Sequence, residues 1–123
     1  MEIGQQYTST MIVGEEHLAC HVGSGDLQVL ATPIMMALME NAAMQCVAGD
    51  LDEESTTVGG QISSSHLKPT PPGHTITATA QLIGIDGRKL QFKISAFDQD
   101  GSLIGEGEHL RFVVNRTKFM SKL

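Results

Sequence analysis

Residues 30–43 read LATPIMMALMENAA. Thr32 and Pro33 form a helix start, because a threonine hydroxyl can cap the first free amides and proline fits the first helical position. The apolar run behind them continues to Ala48, where Gly49 is a natural stop. The spacing predicts a helix over 33–48. Apolar side chains fall on nearly every face of it, so burial is required on most faces. One acid interrupts the run. Glu40 has Met36, Ala37, Ala43 and Met44 within one turn on either side. Such a carboxylate is either desolvated, with a raised pKa unless a cation pairs with it, or sits at the mouth of the core bonded to an amide or a lysine.

Outward from this helix the pattern changes period. TSTMIV (8–13) and EEHLACHV (15–22) are short strand candidates around Gly14, and GSGDLQVLA (23–31) is a glycine-rich lead-in. Beyond the acidic loop DLDEES, four stretches are strand-like: 57–67, 75–85, 89–98 and 103–114. Asp86-Gly87 and Asp100-Gly101 are hairpin signals between them. KPTPPGH (68–74) is a loop, since its three prolines cannot join a ladder. In TITATAQLI, Ile76, Ala78, Ala80 and Leu82 alternate onto one face. The predicted order is β-β-α-β-β-β-β in one domain, residues 1–123. A sheet covers one side of a helix, and this helix is apolar on more than one. A second copy of the chain is the simplest cover, so a homodimer is expected.

The chain has 123 residues, with 41% apolar and 18% charged, which suits a single core and excludes a disordered chain. Its longest near-apolar run is too short for a membrane span and is broken by Glu40. MEIGQQYTST carries neither a basic n-region nor an apolar h-region, so no signal peptide is expected. Cys20 and Cys46 then read as free thiols of a cytoplasmic protein. The net charge of −6, with no basic cluster before the C-terminal NRTKFMSKL, argues against nucleic acid as partner.

Few residues are placed to carry chemistry. His66 stands near a strand end, just before the proline loop. His109 and Arg111 alternate in GEHLRF and should share a face of the last strand. Arg111 could hold a phosphate or a carboxylate, or pair at the surface with Glu106 or Glu108. Capping alone accounts for Thr32. His17, Cys20 and His21 in HLACH form a poor zinc set, because strand geometry turns Cys20 away from both histidines. No metal is expected.

ATPIMMALMENAA, VGGQISSSHLKPTPPGH, IDGRKLQF and GEGEHLRF occur in an order and at spacings that resemble the hotdog-fold thioesterases. Within them the chain is similar to the fluoroacetyl-CoA thioesterase-like family, over nearly its whole length. The resemblance implies an α+β hotdog fold, an antiparallel sheet wrapped around one long central helix. It implies an acyl-CoA thioesterase whose catalytic set falls on Thr32, Glu40 and His66. The family's glycine near the thioester falls on Gly59, with Gly60 beside it, and its last-strand arginine falls on Arg111. Coenzyme A enters as part of the substrate, and no separate cofactor is implied. The fluoroacetyl-CoA enzyme carries an aromatic lid just before the helix. Here that stretch is GSGDLQVLA, and the first phenylalanine is Phe92. A small or medium acyl group without fluorine is the expected substrate.

Thr32 and Glu40 are eight residues apart, about 12 Å along a helix. One chain cannot easily bring them to the same atom, so the expected site is elongated or shared between two subunits. Two other activities fit the residues. A hotdog acyl-CoA hydratase or dehydratase would release no thiol from a saturated acyl-CoA. A non-catalytic acyl-CoA-binding module would bind without turnover.

Overall fold

The computed structural model describes all 123 residues. Strand β1 spans Gln6–Ile12, followed by a 3-10 turn at Glu15–His17 and the short helix α1, Ala19–Val22. The central helix α2 is Thr32–Ala48. Then come β2 (Ser55–Ser64), β3 (Thr75–Asp86), β4 (Lys89–Phe97), β5 (Leu103–Asn115) and a terminal helix α3 (Arg116–Ser121). The five strands make one antiparallel sheet in the order β1-β3-β4-β5-β2, curled over α2.

Period-2 patterning decides which face of the sheet is core. Ile76, Ala78, Ala80 and Leu82 of β3 are fully buried, as their alternation requires, and Leu90, Phe92, Ile94 and Ala96 of β4 continue that face. Met35, Leu38, Met39, Ala42, Ala43 and Val47 of α2 pack into it. Ala78 and Ala80 of β3, with Ala96 of β4 opposite Ala78, leave room for the helix to lie close to the sheet. Gly87 and Gly101, both at positive φ, close the two hairpins.

Residues 15–22 are not a strand. The Gly14 amide donates to His17 Nδ1 at 2.9 Å, which closes a turn. The amides of Ala19 and Cys20 then donate to the carbonyls of Val29 and Leu27. Residues 18–30 therefore fold on themselves as a cap, with Leu18 bridged to Leu30 and both buried. Thr32 is not the N-cap of α2 either. Ala31 occupies that position, and Thr32 is the first helical residue.

The sheet covers one side of α2. On the other side Pro33, Ala37 and Ala48 are exposed, and Met36 and Met44 are half-buried. Strand β2 is an edge, paired only with β5. No helix is long and apolar enough to cross a membrane.

The β2–β5 contact depends on glycine. A Cβ on Gly105 would stand 2.6 Å from Met35 Cε and 2.7 Å from the Ser65 carbonyl oxygen. Met35 can shift, but Ser65 is held beside β5, its amide donating to the Glu106 carbonyl at 2.9 Å. Gly105→Ala should therefore destabilise the fold by about 1–3 kcal/mol, the usual cost of overpacking. Urea denaturation checks this, and an unchanged midpoint would contradict the close approach.

Candidate functional site

Two clusters form on α2, at separate points along it. At its N-terminus the Thr32 hydroxyl lies 2.6 Å from His66 Nδ1. Because Ala31 is the N-cap, that hydroxyl is free of capping and available to the histidine. His66 is half-buried, and its Nε2 is buried with no hydrogen-bond partner. Burial pushes the imidazole pKa below its ordinary 6.5, opposed in part by the backbone of Lys68. The ring is therefore neutral near pH 7. A pocket of about 320 Å³ opens beside the pair, walled by Val29 and Leu30 of the cap and by Leu67, Lys68 and Pro69 of the proline loop.

Two turns along the helix, Glu40 forms the second cluster. Its carboxylate Oε2 lies 3.8 Å from Arg111 Nη1, with the Glu40 side chain 42% exposed and that of Arg111 only 7%. The guanidinium is otherwise committed. Its Nε donates to Thr57 Oγ1 at 2.8 Å, its Nη2 to the Thr57 carbonyl at 2.9 Å, and its Nη1 faces His109 Nε2 at 3.2 Å. Burial lowers the Arg111 pKa and Glu40 opposes that shift, but an arginine stays charged regardless. Glu106 and Glu108 lie on the outward face of β5, so neither is its partner. The carboxylate within its reach is that of Glu40.

His109 completes this cluster. Its Nδ1 lies 2.7 Å from the Gln61 carbonyl, an acceptor, so Nδ1 carries the proton and Nε2 accepts from Arg111. Burial is the largest cause of its lowered pKa, and the Arg111 charge adds to it. The shared face of His109 and Arg111 was legible in GEHLRF. The part His109 plays in orienting the guanidinium was not, because it depends on a carbonyl from another strand.

Gly59 lies directly across the ladder from Arg111, and the register shifts between Gly59 and Gln61. Gly60 forms the bulge. A Cβ on Gly59 would stand 2.9 Å from Glu40 Oε2, and one on Gly60 would strike the Phe112 ring. Glycine at 59 therefore lets the backbone of β2 pass against the carboxylate. No hydrogen bond or ion pair joins the Thr32–His66 cluster to the Glu40–Arg111 cluster within the protomer. In the cap, His17 serves the Gly14 amide, and Cys20 Sγ lies 3.8 Å from His21 Nδ1.

The sequence profile of the fluoroacetyl-CoA-specific thioesterases matches residues 13–117. The chain belongs to this family. The fluoroacetyl-CoA thioesterase of Streptantibioticus cattleyicolor is 33% identical across all of this chain and 92% of that enzyme. A crystal structure of the fluoroacetyl-CoA thioesterase superposes with a TM-score of 0.92 over 99% of this chain and 94% of the other, at 33% identity. A mutant of that enzyme in complex with fluoroacetate and CoA gives 0.90, over 97% and 99% of the two chains, also at 33% identity. A thioesterase superfamily member from Thermus thermophilus, at 22% identity, shares the fold with a TM-score of 0.90, over 98% and 88%. This member of the family is thus a hotdog thioester hydrolase of α+β architecture.

Half-buried His66 and buried His109 both have a depressed pKa in the folded hydrolase, so the unfolded chain binds more protons than the folded one below about pH 6.5. Stability should be fully present above that pH and fall as the pH drops through and below it. Melting temperatures at pH 7.5 and 5.5 would check this, and His66→Asn should reduce the difference. A pH-independent melting temperature over this window would contradict neutral, buried imidazoles.

Proposed function

We propose that the protein hydrolyses small acyl-CoA thioesters at a site assembled from two copies of the chain. Each copy brings Thr32 and His66 to one site and Glu40, Arg111 and Gly59 to the other. The observation that carries this is the separation of the two clusters on one helix. The uncovered face of α2 and the unpaired edge of β2 provide the surface on which a second copy would unite them. The protein is read as a cytoplasmic homodimer, a reading supported by its two free thiols for the compartment and by the uncovered face of α2 for the dimer.

In this reading Glu40 is the general base. It takes a proton from water as the water oxygen attacks the acyl carbon, and the carbon–sulfur bond breaks. The same proton then passes to the departing thiolate. Arg111 acts through Glu40, holding its carboxylate against Gly59. A backbone N–H at Gly59 or Gly60 polarises the thioester carbonyl, a donor that needs no reorganisation. Thr32 orients the His66 ring by engaging Nδ1, and His66 assists proton transfer.

Glu40→Gln keeps the shape and removes the base, so hydrolysis of the best acyl-CoA should fall about a hundredfold or more. His66→Ala should be similarly impaired. Mixing the two inactive variants after denaturation and refolding should restore about a quarter of wild-type activity, since half the dimers are mixed and each has one intact site. Thiol release from saturated acyl-CoAs is the readout. Full activity in the single variants would remove the residue assignment. No recovery on mixing would place the site within one chain.

The cap adds an expectation about the acyl group. Asp26, Leu27 and Gln28 occupy the stretch before the helix, with no aromatic residue to close over a fluorinated carbon. Fluoroacetyl-CoA should therefore have little advantage over acetyl-CoA in kcat/KM. A strong fluoroacetyl preference would show that the discrimination arises without an aromatic lid.

A further inference from the structure

The pocket beside Thr32 and His66 contains one charged side chain. Lys68 forms part of its wall, among apolar neighbours and Ser24. A two-carbon acyl group would fill only a small part of its 320 Å³. The Lys68 side chain is 47% exposed, and its ammonium is drawn to the turn between β4 and β5. There Nζ donates to Ser102 Oγ at 3.0 Å and lies 3.6 Å from Asp100 Oδ2. Asp100 is itself 59% exposed. Such an ion pair in water holds the lysine only weakly.

The rest of the molecule offers this pocket no other cation. Arg111 is buried and bound to Thr57, His109 and Glu40. Arg88, Lys89, Lys93, Arg116, Lys118 and Lys122 are absent from the pocket wall. The chain as a whole is acidic, at −6, and repels an anionic substrate unless a local positive charge offsets that field. A flexible ammonium at a pocket rim, loosely parked on a surface carboxylate, can exchange that single partner for an anion with several oxygens.

We propose that Lys68 is a specificity-determining residue of this pocket, leaving Asp100 to bind an anionic oxygen group carried by the thioester. That group is either a phosphate of the coenzyme A handle or a carboxylate at the far end of the acyl chain. The assignment rests on the thioesterase reading above and extends it to what the substrate must carry.

Steady-state kinetics of the full-length protein on acetyl-CoA, S-acetylpantetheine and succinyl-CoA separate the sources. S-acetylpantetheine keeps the thioester and lacks the phosphates, and succinyl-CoA adds a carboxylate. If the handle is bound, Lys68→Met should raise KM for acetyl-CoA about tenfold, the scale of one charge-assisted hydrogen bond, and leave S-acetylpantetheine unchanged. If the acyl end is bound, the wild type should prefer succinyl-CoA to acetyl-CoA and the variant should lose that preference. Asp100→Asn keeps an acceptor for the Ser102 amide and frees the lysine, so KM on the responding substrate should move the opposite way. A purely structural lysine would not give this reversal. Lys68→Met within twofold of wild type on all three substrates overturns the proposal, as does Asp100→Asn shifting KM in the same direction as Lys68→Met. A wild type that releases no thiol from any of them removes the hydrolase reading instead. Titration with coenzyme A and with succinyl-CoA then decides for Lys68 alone: weaker binding of either by Lys68→Met supports it, and equal affinity for both overturns it.

Discussion

A buried guanidinium organises this molecule. Arg111 stands on β5, takes both its Thr57 contacts from β2, faces His109 on its own strand and meets Glu40 on the helix. Moving such a cation out of water costs several kcal/mol, which only close partners on more than one side offset. That requirement ties three elements together. The helix must present an acid at position 40, β2 must come within reach at Thr57, and its backbone must pass Glu40 without a side chain at 59. The glycine at 59 is a consequence of the same constraint, while Gly60 at the bulge makes room for the Phe112 ring.

Sheet and helix were largely legible in the sequence because their signals are local and periodic. The alternation in TITATAQLI marks the face it buries, and the two Asp-Gly turns join the strands on either side of them. The failures came where distant partners decide. EEHLACHV has enough alternation to resemble a strand, but the amides of Ala19 and Cys20 are claimed by carbonyls at 29 and 27, which bend it into a cap. Thr-Pro before an apolar run has the form of a cap and a first turn. Yet the Thr32 hydroxyl goes to a histidine 34 residues away, and the helix starts one residue earlier. Glu40 was conspicuous because a carboxylate in an apolar helix needs an explanation within the sequence itself. His109 gave no such signal, since its role rests on the Gln61 carbonyl at a bulge no local pattern announces.

The two clusters differ in electrical character, and that difference suits the chemistry. Around Thr32 and His66 the groups are neutral: a hydroxyl, an imidazole kept uncharged by burial, and mostly apolar walls. Around Glu40 and Arg111 they are ionic. Hydrolysis of a thioester needs a base that can take a proton from water and a surrounding that neither protonates that base nor holds the leaving thiolate too tightly.

Helical rise fixes how far apart the two sets stand in one protomer. Two turns of α2 separate the first residue of the neutral cluster from the acid of the ionic one, which is farther than any side chain spans. Within one protomer neither set therefore perturbs the other. In the two-copy site proposed above, one helix contributes an element to each of two sites. The face of α2 left uncovered by the sheet, with exposed alanine and half-buried methionine, is the surface that reading assigns to the second copy.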